Sequence, residues 1–185
     1  MRKLGVFNFV SLNGFYKGVQ GDISWARHGD PEDHDFAVES SRSGSTVIFG
    51  RVTYQMMAWY WPSQQALQND PVMAKQMNDS EKIVFSKTLE KAEWNNTTLV
   101  KGDLIEEIKK LKQGDGNDLV ILGSGSIVTQ LAEQGLIDSY QFMVHPVALG
   151  DGTSTFKGLA HNLSLKLTST RAFKSGTVLL TYEPA

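Results

Sequence analysis

Three short segments place glycine, hydroxyl and cation where a phosphate could be held. They are Phe49-Gly50-Arg51-Val52-Thr53-Tyr54, Val84-Phe85-Ser86-Lys87-Thr88 and Leu122-Gly123-Ser124-Gly125-Ser126. Each follows an apolar run that reads as a buried strand. A glycine lets backbone approach a ligand, and a helix starting there offers unpaired N–H groups and the positive end of its dipole. Arg51 adds a fixed charge and Thr53 a hydroxyl. The hydroxyl, cation and hydroxyl of Ser86, Lys87 and Thr88 suit a monoester such as an adenosine 2′-phosphate. Gly123 to Ser126 suits a pyrophosphate but falls short of the dinucleotide fingerprint, because Val128 takes the third glycine's place. Taken singly, each segment also reads as an ordinary turn, with Arg51 solvated. Together they predict one extended anionic ligand, a dinucleotide, across the carboxyl ends of parallel strands.

Other side chains narrow the chemistry. Trp25, Trp59, Tyr60 and Trp61 could stack on a flat ring or simply fill the core, and Trp25 is singled out because it lies in a long loop. The histidines (His28, His34, His145, His161) form no metal-binding spacing, so no metal is expected. The chain has no cysteine, which excludes disulfides, thiolate catalysis and cysteine-ligated metal. A net charge of −2 gives no basic surplus for nucleic acid. The apolar run after Lys3 is broken by Asn8 and is too short for a signal peptide or membrane span, so a cytoplasmic location is expected.

The elements that must position these residues are readable from pattern. Strands are predicted at 3–11, 46–49, 82–85, 97–100, 118–122, 139–147, 163–172 and 177–183. Helices are predicted at 33–43, 52–59, 71–78, 104–112 and 126–134. Asp103 with Glu106 three positions on suggests a capping box, and Gly135 marks a helix end. Residues 13–32 carry four glycines and a proline and read as a long functional loop. The 185 residues fit one domain. The expected fold is α/β, a three-layer α/β/α arrangement. Its central sheet is mixed and mainly parallel, with an antiparallel C-terminal edge.

An ordered set of motifs then resembles a known group. Ser11-Leu12-Asn13-Gly14 follows the first strand, Gly50-Arg51-Val52-Thr53-Tyr54 the second, and Trp61-Pro62 comes shortly after. Gly123-Ser124-Gly125-Ser126 follows, and last the stretch from Gly135 through His145-Pro146 and Gly150-Asp151-Gly152 to Phe156. The chain is similar over nearly its whole length to the dihydrofolate-reductase-like superfamily. Within it the likeness is greatest to the C-terminal reductase domain of the bifunctional riboflavin-biosynthesis deaminase/reductase. The resemblance implies an NADPH-dependent reductase of a small heterocyclic or imine-type substrate, acting as a homodimer.

It implies phosphate contacts at Gly50, Arg51, Thr53, Ser86, Lys87, Gly123, Ser124, Gly125 and Ser126, and places Ser11–Gly14 beside the nicotinamide, with Leu12 and Asn13 on the cofactor. Ser11, Trp25 and Tyr54 are expected on the substrate. Imine reduction needs a proton, and a carboxyl group in a partly apolar pocket is the usual donor. Dihydrofolate reductases carry that acid on the helix before the second strand, which here makes Asp33 and Asp35 the candidates; both could equally be first-turn helix acids. Two positions depart from the group: Asn13 stands where an acid is usual, and Ser124 splits the glycine pair. Dihydrofolate or pterin reduction, and a nucleotide-binding module without turnover, are the competing readings.

Overall fold

The computed structural model describes residues 1–27 and 31–185; His28 and Gly29 of the long loop lie outside the described residues. Strand β1 (Leu4–Ser11) runs between β6 (Leu119–Leu122) and β7 (Ser139–His145) and is parallel to both. Beyond β6 come β3 (Thr46–Gly50), β4 (Lys82–Phe85) and β5 (Thr97–Val100), all parallel. On the other side β10 (Val178–Pro184) and then β9 (Leu165–Ala172) join antiparallel, giving the eight-strand order β5-β4-β3-β6-β1-β7-β10-β9. This is the mixed three-layer α/β/α architecture expected.

The apolar runs Thr46–Gly50 and Leu119–Leu122 become inner strands because both their faces are covered. Leu119 and Ile121 pack with Ile108 of α5 (Leu104–Gln113) and with Ile127, Val128 and Leu131 of α6 (Gly125–Glu133). Val120 and Leu122 face the opposite layer. There Tyr54 of α2 (Arg51–Tyr60) and Met77 of α4 (Pro71–Asp79) meet Phe49, Val84 and Trp94. Helix α1 (Pro31–Ser41) precedes β3. Among the described residues no helix is long and apolar enough to cross a membrane.

Local signals behaved unevenly. Asp103 caps α5 by accepting from the N–H groups of Ile105 (3.0 Å) and Glu106 (3.1 Å), but Glu106 turns to Lys109 (2.9 Å) instead of reaching back, so the capping box is half built. The end of α6 is a full Schellman pair, Gly135 N–H to the Ala132 carbonyl and Leu136 N–H to that of Leu131. Lys82, fully buried, closes α4 by donating to the carbonyls of Met77, Asn78 and Ser80 at 2.9, 3.2 and 2.6 Å. Burial lowers its pKa to about 8, against the opposing pull of Asp79.

Three elements had no clear signal: β2 (Phe15–Gly18), α3 (Gln64–Asn69) and β8 (Gly152–Ser154). Strands β2 and β8 pair antiparallel as a separate two-stranded flap, so the long loop is partly ordered. Gly152 is required there, because a Cβ would sit 2.5 Å from the Lys17 carbonyl oxygen.

Candidate active site

A groove of about 1850 Å³ crosses the carboxyl ends of β3, β4 and β6 and continues beneath α1. That exceeds the few hundred to ~1,000 Å³ of a typical small-molecule pocket, because the groove also runs along the sheet to the strand amino ends at Lys3, Ser45, Asp118 and Ser139. Gly50, Arg51, Thr53, Ser86, Lys87 and the Gly123–Ser126 turn all line it. The three segments therefore lie along one rim.

Their roles on that rim differ from expectation. The Gly50 N–H donates to Ser124 Oγ (2.8 Å), the Ser124 N–H to Thr53 Oγ1 (3.3 Å), and the Gly123 N–H to Asn8 Oδ1 (2.7 Å). Three backbone donors expected on a phosphate are thus used to tie the turns to one another. Gly123 must be glycine: its φ is +61° and a Cβ would lie 3.1 Å from Thr53 Cγ2. What remains for an anion are the helix starts. Neither α2 nor α6 has a side-chain cap, and the first-turn N–H groups at Arg51, Val52, Gly125 and Ser126 have no intrahelical partner by geometry. Since β3 and β6 are neighbours, two positive dipole ends open side by side. Arg51 is exposed and donates to Gln55 at 3.0 Å. Ser86 Oγ accepts from the N–H groups of Thr88 and Leu89, leaving its own proton to donate, with Lys87 exposed beside it.

The two acids separate cleanly. Asp33 is 5% exposed and lines the groove, whereas the Asp35 side chain is 83% exposed and does not. Asp33 Oδ2 accepts from Ser175 Oγ (2.7 Å), which itself accepts from the Thr177 N–H (3.1 Å), while Asp33 Oδ1 has no partner. The same β9–β10 hairpin holds the neighbouring Glu32 through Arg171 (2.8 Å), and that guanidinium keeps the Glu32 carboxyl below its ordinary range. Phe36 packs on Phe173 and Arg171 beneath. So the first turn of α1 rests on the hairpin.

Opposite Asp33 stands His145 at the end of β7, buried, lining the groove, with Nε2 unpartnered. Burial lowers its pKa, and the charge of Asp33 opposes that shift. Phe9 and Trp25 close on the imidazole edge-on, with ring centroids 5.4 and 5.7 Å away. Trp25 thus reaches the site through His145, its Nε1 bonded to the Asp22 carbonyl (3.2 Å).

Three expected site residues do other work. Tyr54 is core: its ring packs at a tilt against Phe49 and Trp94, and its hydroxyl accepts from the Trp94 backbone N–H (3.1 Å). Ser11 is buried and fastens a turn, accepting from the Phe15 N–H and donating to Asn13 Oδ1. Asn13 is exposed and pairs with both backbone groups of Leu149, donating at 2.7 Å and accepting at 3.1 Å. An aspartate could not make both bonds, which accounts for the amide there. Leu12 is exposed beside it, its N–H on the Val147 carbonyl. Two groove residues, Asn8 and His145, were missed as site residues. The signal for Asn8 was a polar residue inside an apolar strand; for His145 it was a place at a strand end within the matched His145-Pro146 stretch.

Among the described residues no group of His, Cys, Asp or Glu could hold a metal ion. The fold and the strand-end groove define a protein of dihydrofolate-reductase-like architecture. Residues 2–179 match the RibD C-terminal domain family, and the chain belongs to that family. A relative, the uncharacterized protein YyaP of Bacillus subtilis (strain 168), is 30% identical over 94% of this chain and 90% of its own. Among solved structures, a protein of Shewanella sp. PV-4 ascribed to riboflavin biosynthesis is similar with TM-score 0.77 at 21% identity, over 99% of both chains. The diaminohydroxyphosphoribosylaminopyrimidine deaminase/5-amino-6-(5-phosphoribosylamino)uracil reductase of Thermotoga maritima gives 0.70 at 16% identity, over all of this chain and 57% of its own. Dihydrofolate reductase of Enterococcus faecalis, in complex with NADP(H), gives 0.67 at 16% identity over 98% and 96%.

Proposed function

We propose that the protein is an NADPH-dependent reductase of a small heterocyclic or imine-type substrate, of the 5-amino-6-(5-phosphoribosylamino)uracil reductase type. One observation carries this reading: two uncapped helix starts open side by side on the rim of a groove that runs on to a buried carboxyl group with a free oxygen. Membership of the RibD C-terminal domain family supports it.

The first-turn N–H groups of α2 and α6 and the Arg51 guanidinium hold the pyrophosphate. Ser86 and Lys87 hold the 2′-phosphate, whose charge distinguishes NADPH from NADH. The orphaned Asn8 Nδ2 and the groove's volume fit a cofactor of this size. When bound, NADPH supplies the hydride. The chain's own contribution is to orient substrate, exclude water and deliver a proton. Asp33 Oδ1 is the atom that gives this proton to the imine nitrogen, directly or through one water; Ser175 keeps the other oxygen occupied. His145 and Phe9 wall the substrate end, with Trp25 packed against the imidazole. Homodimer formation belongs to the same reading, and light scattering checks it.

Calorimetry with NADPH and NADH, followed by NADPH oxidation with pyrimidine and pterin substrates, tests the proposal. Binding that favours NADPH, with turnover of the pyrimidine, is expected. Absence of any nicotinamide nucleotide binding overturns it. Turnover of dihydrofolate alone moves the substrate assignment to pterins.

A further inference from the structure

Helix α1 has little apolar anchorage of its own: of its 11 residues only Asp33 and Val38 are buried. It lies over β7 and β10, where Phe36 meets Met143, Phe173 and Leu179, while α4 lies over β3 and β4 through Met77. Between the two helices Gly5, Phe7, Val120 and Leu122 stay half-buried and line the groove, although inner strands of a parallel sheet are ordinarily covered on both faces. The position of α1 over this gap is therefore set by its polar ties.

Those ties pull two ways. Glu32 bonds to Arg171 and Asp33 to Ser175, both on the β9–β10 hairpin. His34 reaches in the other direction, with Nε2 2.7 Å from Asp70 Oδ2 at the start of α4. A carboxylate only accepts, so Nε2 is the donor. Asp70 uses its second oxygen to cap α4, accepting from the Met73 N–H at 3.0 Å. Both His34 and Asp70 line the groove. Nearer the end of α1, Ser41 meets Gln76 in a second rung between the same helices, about 12 Å along the axis from Asp33.

We infer that His34 and Asp70 are positioning residues: their bond ties the start of α1 to α4 across the groove and so fixes where the Asp33 carboxyl group meets substrate. The inference rests on the proposed role of Asp33 as proton donor. His34 is half exposed, and pairs of that kind contribute little to stability, so the effect falls on turnover.

The test uses the full chain and steady-state NADPH oxidation. His34→Ala should lower kcat by roughly tenfold, with the KM for NADPH within about twofold and the urea midpoint nearly unchanged. His34→Gln, whose amide nitrogen takes the place of Nε2, should keep most of the activity. Asp70→Ser retains a helix cap and removes the partner. It and the double variant should match His34→Ala, since the same bond is lost in each. In an Asp33→Asn background His34→Ala should cost nothing further, because a group that gives no proton has no position to lose. Ser41→Ala, at the far rung, should leave kcat within about twofold. Full activity in His34→Ala, an equal deficit in Ser41→Ala, or a deficit that persists in the Asp33→Asn background overturns the inference. If His34→Ala does not fold, Asp70→Ser with and without Asp33→Asn decides in its place. An Asp33→Asn variant as active as the wild type instead overturns the proton-donor reading, and the positioning role with it.

Discussion

The two ends of the groove are built in opposite ways. At the phosphate end, each functional segment is continuous in sequence: a strand, a turn and a helix start, repeated at Gly50 and Gly123 and joined by short bonds between adjacent turns. At the acid end nothing is continuous. Asp33 comes from α1, Ser175 and Arg171 from the far hairpin, His145 from β7, and Trp25 from the loop. Under the proposed function, a repeated local unit takes the part common to all nicotinamide dinucleotides. Long-range assembly sets the acid, where substrates differ. The difference predicts that damage at the acid end falls on turnover, and damage at the phosphate end on cofactor affinity.

The largest expected effect comes from Asp33→Asn, which should lower kcat by about 10²-fold or more while leaving NADPH affinity within about twofold. Asp35→Asn, altering a solvent-facing side chain, should leave both unchanged; a deficit there equal to that of Asp33 would break the comparison.

Arg51→Ala should raise the KM for NADPH by roughly tenfold with kcat nearly intact, the loss of one charge-assisted contact. Lys87→Ala should act on NADPH and spare NADH, and comparing the two cofactors is the check.

Smaller is Ser175→Ala. It removes a 2.7 Å bond to Asp33 without touching ligand, and should lower kcat by about threefold to tenfold. Ser175→Thr should restore most of it, which a merely loosened hairpin would not do.

The smallest effect is on stability against pH. His145 has its pKa lowered from 6.5 in the folded chain, chiefly by burial, with Asp33 opposing. As pH falls through 6.5 the unfolded chain takes up this proton first, so stability is complete above that value and declines below it. Urea midpoints should fall between neutral pH and about pH 5.5, and His145→Gln should flatten that slope.

Much of the frame was legible because its signals are local. Val-Ile-Phe and Leu-Val-Ile-Leu runs announce covered strands, and Asp103 and Gly135 mark helix ends by bonds within a few residues. The rim of strand-end turns could be found for the same reason. The flap was not legible: Phe15–Gly18 is four residues long, and its partner Gly152–Ser154 lies more than a hundred positions away. Tyr54 misled because a residue in a matched motif can face either way, and three positions after Arg51 the helix turns inward to Trp94. Asp33 and Asp35, two apart on one helix, point in different directions for the same reason, and only packing against the hairpin selects Asp33.

The order of apolar runs, turns and helix starts was enough, without coordinates, to set the layers of this fold and the rim where an anion would lie. Which polar groups remain unsatisfied there was decided by the tertiary structure. Gly50, Gly123 and Ser124 spend their N–H groups on the side chains of Ser124, Asn8 and Thr53, while Asn8 Nδ2, Asp33 Oδ1 and His145 Nε2 are buried without a partner. Residue type fixes how many hydrogen bonds a group can make; only the three-dimensional neighbourhood determines how many it has already made.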